Sequence, residues 1–155
     1  ICEVLDKVDI EKLINRIGAD PIRDDCDPQQ VFSKILKSRA NIGKLLMDQS
    51  VIAGIGNIYR TEILWRQCIH PITIGNALGV QQLENLWFDA KYLLKIGAQR
   101  NAIITVDKAI HDNNCISESF NIFGKDKCPK CSSPIIVTEI SGRRVFVCEM
   151  CQRNI

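Results

Sequence analysis

Along most of this chain hydrophobic residues recur at the three-and-four spacing of a helix, and strict alternation takes over only near the C-terminus. Ile10, Leu13, Ile14 and Ile17 form the first stripe, which Gly18 stops; the run GADPIRDDCDP (18–28) reads as a loop. Asp27 followed by Pro28 is a helix start, with a carboxylate to cap the free N–H groups and a proline at the first helical position. That helix buries Val31, Phe32, Ile35 and Leu36. Residues 38–41 interrupt it, and Asn41 caps a short helix carrying Ile42, Leu45 and Leu46. The stretch DQSVIAGIGN (48–57) is apolar yet punctuated by Gly54 and Gly56. A helix then runs from about 57 to 67 with Ile58, Ile63 and Leu64 inside, and His70-Pro71 opens a second loop. A long helix over 80–99 follows, its inner side made by Leu83, Leu86, Trp87, Ala90, Leu93, Leu94 and Ile96. Residues 101–127 read as irregular. Strands over 135–140 and 143–147, joined by Ser141-Gly142, read as a tight hairpin. The expected fold is mainly α: a helical domain over 1–110, then an irregular loop and a small β-hairpin over 111–155.

Charge adds a restriction. With 20 basic and 18 acidic residues the formal net charge is +2, so bulk charge does not bind a polyanion and any such partner must meet a local face. No apolar run approaches the roughly 18 residues of a membrane span, and Glu3, Asp6 and Lys7 break the opening apolar residues of a would-be secretion signal. Of the eight cysteines, Cys2, Cys26, Cys68 and Cys115 stand singly and read as reduced, mostly buried thiols of an intracellular protein rather than a disulfide framework.

The other four carry chemistry. Cys128-Pro-Lys-Cys131 and Cys148-Glu-Met-Cys151 are two C-x-x-C pairs, and the hairpin lies between them. Each knuckle turns two sulfurs the same way, and the hairpin brings the pairs together into a tetrahedron. Zn²⁺ is the expected ion, one per chain and structural, because four thiolates leave no position open. Two disulfides, unrelated cysteines and a four-sulfur iron site share the pattern; Arg143 and Arg144 at the hairpin tip suit a polyanion better than a redox partner.

Val51-Ile-Ala-Gly-Ile-Gly-Asn57 leads straight into a helix. Two glycines allow close approach of backbone to a ligand, the helix start offers free N–H groups, and Asn57 adds a neutral donor. The plain reading is an interhelical turn with Asn57 as N-cap. A dinucleotide fingerprint is not matched, since the third glycine and the preceding strand are missing.

LLMDQSVIAGIGNIYRTEILW (45–65) followed by CIHP (68–71) resembles the helix–two-turn–helix of the formamidopyrimidine-DNA glycosylase / endonuclease VIII family. CPKC…GRRVFVCEMCQ (128–152) resembles that family's zinc finger, and RIGADPI (16–22) resembles the opening of its C-terminal domain. The resemblance implies a helix–two-turn–helix domain plus zinc finger from a base-excision-repair enzyme that removes oxidised bases from duplex DNA and cleaves the abasic strand. It implies that Asn57 and Arg143 hold DNA phosphates near a flipped nucleotide, with Arg144 a weaker candidate, that Gly54 and Gly56 form the tight turn, and that Cys128, Cys131, Cys148 and Cys151 bind zinc. Residues 109–120 lie where some members carry a lesion-contacting loop and are too divergent to assign. The expected partner is double-stranded damaged DNA and the expected state a monomer.

Two departures stand out. Family members begin with a proline amine nucleophile and a glutamate, whereas this chain begins Ile1-Cys2-Glu3. The expectation is a fragment without the catalytic domain, so no catalytic residue is assigned. Arg60 stands where the family usually has a small residue, and reads as a solvated helix position, with an added phosphate contact as the alternative. Lys34, Lys37 and Arg39 read as a solvated edge, Lys125, Lys127 and Lys130 as diffuse attraction for DNA, and His70 and His111 as neither ligand nor base. Trp65 and Trp87 fit core stripes. A non-catalytic nucleic-acid-binding module, as in ribosomal and topoisomerase proteins, and a zinc-ribbon adaptor for proteins are the competing readings.

Overall fold

The computed structural model describes residues 6–14, 16–111 and 119–153. The readings made for Ile1, Cys2, Glu3, Cys115, the His111 side chain and most of the 109–120 loop fall outside what is described. Elements follow in the order α1 (Lys7–Ile14), α2 (Pro28–Leu36), α3 (Ile42–Leu45), α4 (Asn57–Arg66), a 3-10 turn (Gly75–Ala77), α5 (Val80–Arg100), α6 (Asp107–His111), β1 (Ile136–Ile140) and β2 (Arg143–Val147). The mainly α class with a terminal hairpin is what the patterning implies. No helix among the described residues is long and apolar enough to cross a membrane.

The helix starts follow local chemistry. Asp27 Oδ1 accepts from the Gln29 N–H at 2.9 Å, and Asn41 Oδ1 from the Lys44 N–H at 2.8 Å, which satisfies donors the helices themselves leave free. The core of the helical body gathers Val31, Phe32 and Ile35 of α2, Ile42, Leu45 and Leu46 around α3, Ile63 and Leu64 of α4, and Leu83, Leu86, Trp87, Leu93 and Leu94 of α5. Ile58, Leu36 and Ile96 are only half-buried.

Three expectations need correction. The stripe of α1 exists, but Ile10, Leu13, Ile14 and Ile17 are 44–59% exposed, because periodicity creates an apolar face without supplying what covers it. Residues 107–111 are helical rather than irregular, with Ile110 in the main core. Of the single thiols, Cys26 is half-buried and accepts the Asp20 N–H, while Cys68 is exposed at a left-handed φ of 56°.

The hairpin pairs Ile136 with Val147 and Ile140 with Arg143. Ser141 and Gly142 both have positive φ, 55° and 73°, the geometry of the two-residue turn that matches strand twist. Its two faces separate by alternation. Val145 and Val147 join Ile140 on one side, and Phe146 turns to the other, where it meets Trp65 of α4, Ile122, Cys128 and Cys148. The two regions therefore share Trp65.

Candidate nucleic-acid interface and metal centre

Each cysteine pair is shaped by its own backbone. Ser132 N–H bonds to the Cys128 carbonyl at 2.8 Å, and Cys151 and Gln152 N–H to the Cys148 carbonyl at 3.1 and 2.8 Å. The four sulfurs of Cys128, Cys131, Cys148 and Cys151 all lie within 4.8 Å of one another, with Cys128–Cys151 at 3.8 Å and Cys131–Cys148 at 3.4 Å. A tetrahedron with metal–sulfur bonds of about 2.3 Å has sulfur–sulfur edges of about 3.8 Å, so the set fits one four-coordinate ion. Ser133 hydrogen bonds draw the Cys131 thiol down to about 6, whereas burial, then the neighbouring sulfurs, push Cys151 up. The Trp65 indole N–H supports the cluster from outside, donating to Cys128 Sγ at 3.4 Å.

The glycine turn lies at the entrance of α4. Gly54 has φ +85°, a conformation that side chains other than glycine's rarely adopt, and its N–H is held by Gln49 Oε1 at 2.9 Å. Gly56, not Asn57, is the N-cap; no side chain caps this helix start among the described residues, and no heavy atom lies within 4 Å of where a Gly56 Cβ would stand. The helix thus opens onto a bare, exposed surface with its positive dipole end forward.

Asn57, the first residue of α4, joins this entrance to the hairpin tip. Its Nδ2 donates to the Arg144 carbonyl at 3.1 Å, 87 residues along the chain. Arg144 enters the junction through its backbone; alternation puts its side chain on the opposite face of β2 from Arg143. Arg143 and Arg144 are both exposed.

Arg60 is the largest correction. It is 0% exposed, not a solvated residue. Its Nη1 donates to the carbonyls of Gly43 at 3.2 Å and Ile140 at 3.5 Å, and its Nη2 donates to Asn57 Oδ1. Burial, then the like charge of Arg143, push its guanidinium down to about 10. The sequence did hold a signal: Arg60 stands three and four residues before Ile63 and Leu64, on the buried stripe of α4.

Glu62 and Gln152 were missed altogether. Glu62 is fully buried and accepts from the Asn121, Ile122 and Phe123 N–H groups, the Thr105 hydroxyl and the Asn121 amide, at 2.7–2.9 Å. Gln152 bonds the Cys148 N–H and the Ile69 carbonyl, tying the second knuckle to the helical body. Both are charged or polar residues inside an interface that patterning does not reveal. Lys34 reaches the Ser50 carbonyl at 2.6 Å, so it is not merely solvated; Lys130 lies 4.3 Å from the Trp65 ring centroid, and the His70 ring accepts the Ile72 N–H.

Comparison with known proteins agrees with this geometry. Residues 17–109 match the family described as the formamidopyrimidine-DNA glycosylase H2TH domain, where H2TH denotes the helix–two-turn–helix. The chain is 37% identical to Endonuclease 8 1 of Mycobacterium tuberculosis, over 98% of this chain and 59% of that protein. It is 31% identical to the formamidopyrimidine-DNA glycosylase of Rickettsia felis, over 92% of this chain and 53% of the relative. The crystal structure of Lactococcus lactis Fpg in complex with DNA containing an N7-benzyl-Fapy-dG aligns with a TM-score of 0.79 at 27% identity, covering 96% of this chain and 55% of that one. The chain thus spans little more than half the length of the relatives it matches. A helix–two-turn–helix whose glycine entrance is bonded to the tip of a four-cysteine hairpin, in a sequence matched to that domain over more than half its length, belongs to the formamidopyrimidine-DNA glycosylase / endonuclease VIII family.

Proposed function

We propose that this chain is the DNA-gripping part of a base-excision glycosylase that removes oxidised bases and cleaves the resulting abasic strand, and that its four cysteines hold one structural zinc ion. The observation that carries the reading is the Asn57 bond to the Arg144 carbonyl, which makes the helix entrance and the hairpin tip one surface. Extruding a base from the stack costs a few kcal/mol. A protein offsets that by fixing the backbone on either side of the lesion, and phosphate contacts fix register without reading sequence. The second Nδ2 hydrogen of Asn57, the bare N–H groups after Gly56 and the exposed Arg143 are the donors for those phosphates. Zinc suits four thiolates in a closed tetrahedron; the ion supplies the folding free energy of the finger and leaves no coordination position for catalysis.

The test is binding of this chain, as a monomer, to a duplex carrying an abasic-site analogue, followed by fluorescence anisotropy. Asn57→Ala combined with Arg143→Ala removes two contacts to a charged group and is expected to weaken binding about a hundredfold with the fold intact. Unchanged affinity overturns the assignment of these residues. For the parent enzyme, borohydride is expected to trap a covalent adduct with abasic DNA. Failure to trap with the full-length protein, while binding persists, favours the non-catalytic module instead.

A further inference from the structure

Among the described residues Arg60 is buried without a counter-ion. Among the described residues its guanidinium meets three oxygens, the Gly43 and Ile140 carbonyls and Asn57 Oδ1, and no carboxylate, and its Nε is buried with no hydrogen-bond partner. The same helix shows how this protein ordinarily treats such a group. Six residues on, Arg66 is paired with Asp89 and Asp107, each at 2.9 Å, and also donates to the Thr105 carbonyl. An unpaired buried charge is costly and persists where something else gains from it.

The three acceptors of Arg60 locate that gain. Gly43 belongs to α3, Ile140 to the hairpin and Asn57 to the helix entrance, so one guanidinium joins the three parts that meet at the glycine turn. It also fixes which way the Asn57 amide faces. With Oδ1 against a guanidinium that only donates, Nδ2 must face outward; the reversed amide would set NH₂ against NH₂. One Nδ2 hydrogen goes to the Arg144 carbonyl, and the other has no hydrogen-bond partner among the described residues.

We propose that Arg60 is a positioning residue whose buried charge orients Asn57 as a donor and completes an anion seat, and that the counter-ion it lacks in the protein is a phosphodiester of bound DNA. This deepens the reading given under Proposed function and rests on it. The phosphate does not touch Arg60; it takes the outward Asn57 hydrogen and the N–H groups of the α4 entrance, close enough to feel a charge screened little by solvent.

Two variants decide the matter. Asn57→Asp gives Arg60 a carboxylate where it now has an amide, at a helix start that favours negative charge; it also removes the neutral bond to the Arg144 carbonyl, a loss that the stronger charge-assisted pair must exceed. Its melting temperature is expected to rise by several degrees, while affinity for the abasic-analogue duplex falls about a hundredfold. Opposite signs in stability and binding mark a charge kept unpaired for a ligand. Arg60→Gln keeps an amide donor for the carbonyls and removes the charge. It is expected to retain its zinc, to lose about tenfold in affinity at low ionic strength and to approach wild type as salt rises; in this background Asn57→Asp no longer stabilises. If Asn57→Asp fails to raise the melting temperature, or raises it equally in the Arg60→Gln background, the unpaired-charge argument is wrong, and the single variant decides this even where Arg60→Gln does not fold. If Arg60→Gln binds as wild type at every salt concentration, or its loss is independent of salt, Arg60 is only a structural tie. Absence of duplex binding by the wild-type chain is a separate result, which removes the functional reading and this inference with it.

Discussion

The helical body and the finger are folded by different means. The body sets apolar faces of α2, α4 and α5 against each other around residues such as Ile35, Ile63 and Leu83, all fully buried. Burial of that kind stabilises in proportion to area, about 25 cal/mol per Å². The hairpin has Ile140, Val145 and Val147 on one side and little more than Phe146 on the other, besides what Trp65 and Ile122 lend it from elsewhere. Most of β1 is exposed. Two short strands with so small a core do not persist in water unaided. One region is held by packing, then, and the other, on the zinc proposal, by four sulfurs around one ion and by ties to the first. The hairpin tip, which carries Arg143, is therefore only as well placed as the metal site and those ties make it.

Removing the metal breaks this comparison most severely. If the four cysteines hold zinc as proposed, chelation is expected to unfold the finger, whose folding free energy would then depend on a binding free energy on the order of 10 kcal/mol, and to leave the body helical. Far-UV circular dichroism will report retained helix, and duplex binding will fall with the zinc content. Cooperative loss of the α-helical signal on chelation would show that the body too depends on the finger, and the division into two modes of stabilisation would not stand.

The second prediction concerns a tie. Glu62 of α4 holds residues 121–123 through both carboxylate oxygens, Oε1 taking the Ile122 and Phe123 N–H groups and Oε2 those of Asn121 and the Thr105 hydroxyl. Glu62→Gln is nearly isosteric, yet whichever way the amide turns it sets an NH₂ against at least two buried donors. Each donor left unpaired costs about 1–3 kcal/mol, so a loss of about 3 kcal/mol is expected. Hydrogen exchange should quicken at Ile122 and Phe123 before it does in α5. Protection unchanged at those amides would mean that Glu62 does not secure the segment leading into the finger.

How much of this was readable beforehand follows the same division. Features set by neighbours in sequence were legible: the Asp27 and Asn41 caps, the Ser141-Gly142 turn, the cysteine pairs, the inner face of α5. They depend on spacings of two to four residues, which a sequence displays directly. Features set by a partner far along the chain were not. Glu62 looks like a solvated helix residue, and Arg60 departs from that only by sharing the stripe of Ile63 and Leu64, until residues 121–123 and 140 are brought against α4, and Tyr59 through Trp65 are then all buried. The face of α1 fails in the opposite sense, apolar by spacing and exposed in space. Of the candidate site, Asn57 and the cysteine pairs could be singled out from the sequence, and what holds Asn57 in place could not, because the holding group is charged and charge argues for the surface.

The smallest effect sharpens the comparison most, because it falls on a residue that both regions share. Trp65 packs its ring against Ile122 and Phe146 and directs its indole N–H at Cys128 Sγ. A hydrogen bond to a ligating thiolate spreads its negative charge and holds its orientation, and loss of such an outer partner weakens metal affinity by about 10- to 100-fold. Trp65→Phe keeps an aromatic ring in the cluster and removes only the donor and part of the volume. Zinc affinity, measured by competition with a chromophoric chelator, is expected to drop about tenfold, near the low end of that range because four thiolates still close the tetrahedron. The helical body should lose little, since its main core does not include Trp65. An unchanged zinc affinity together with a clear fall in the melting temperature of the helices would mean that Trp65 serves the body by packing and not the metal by its N–H.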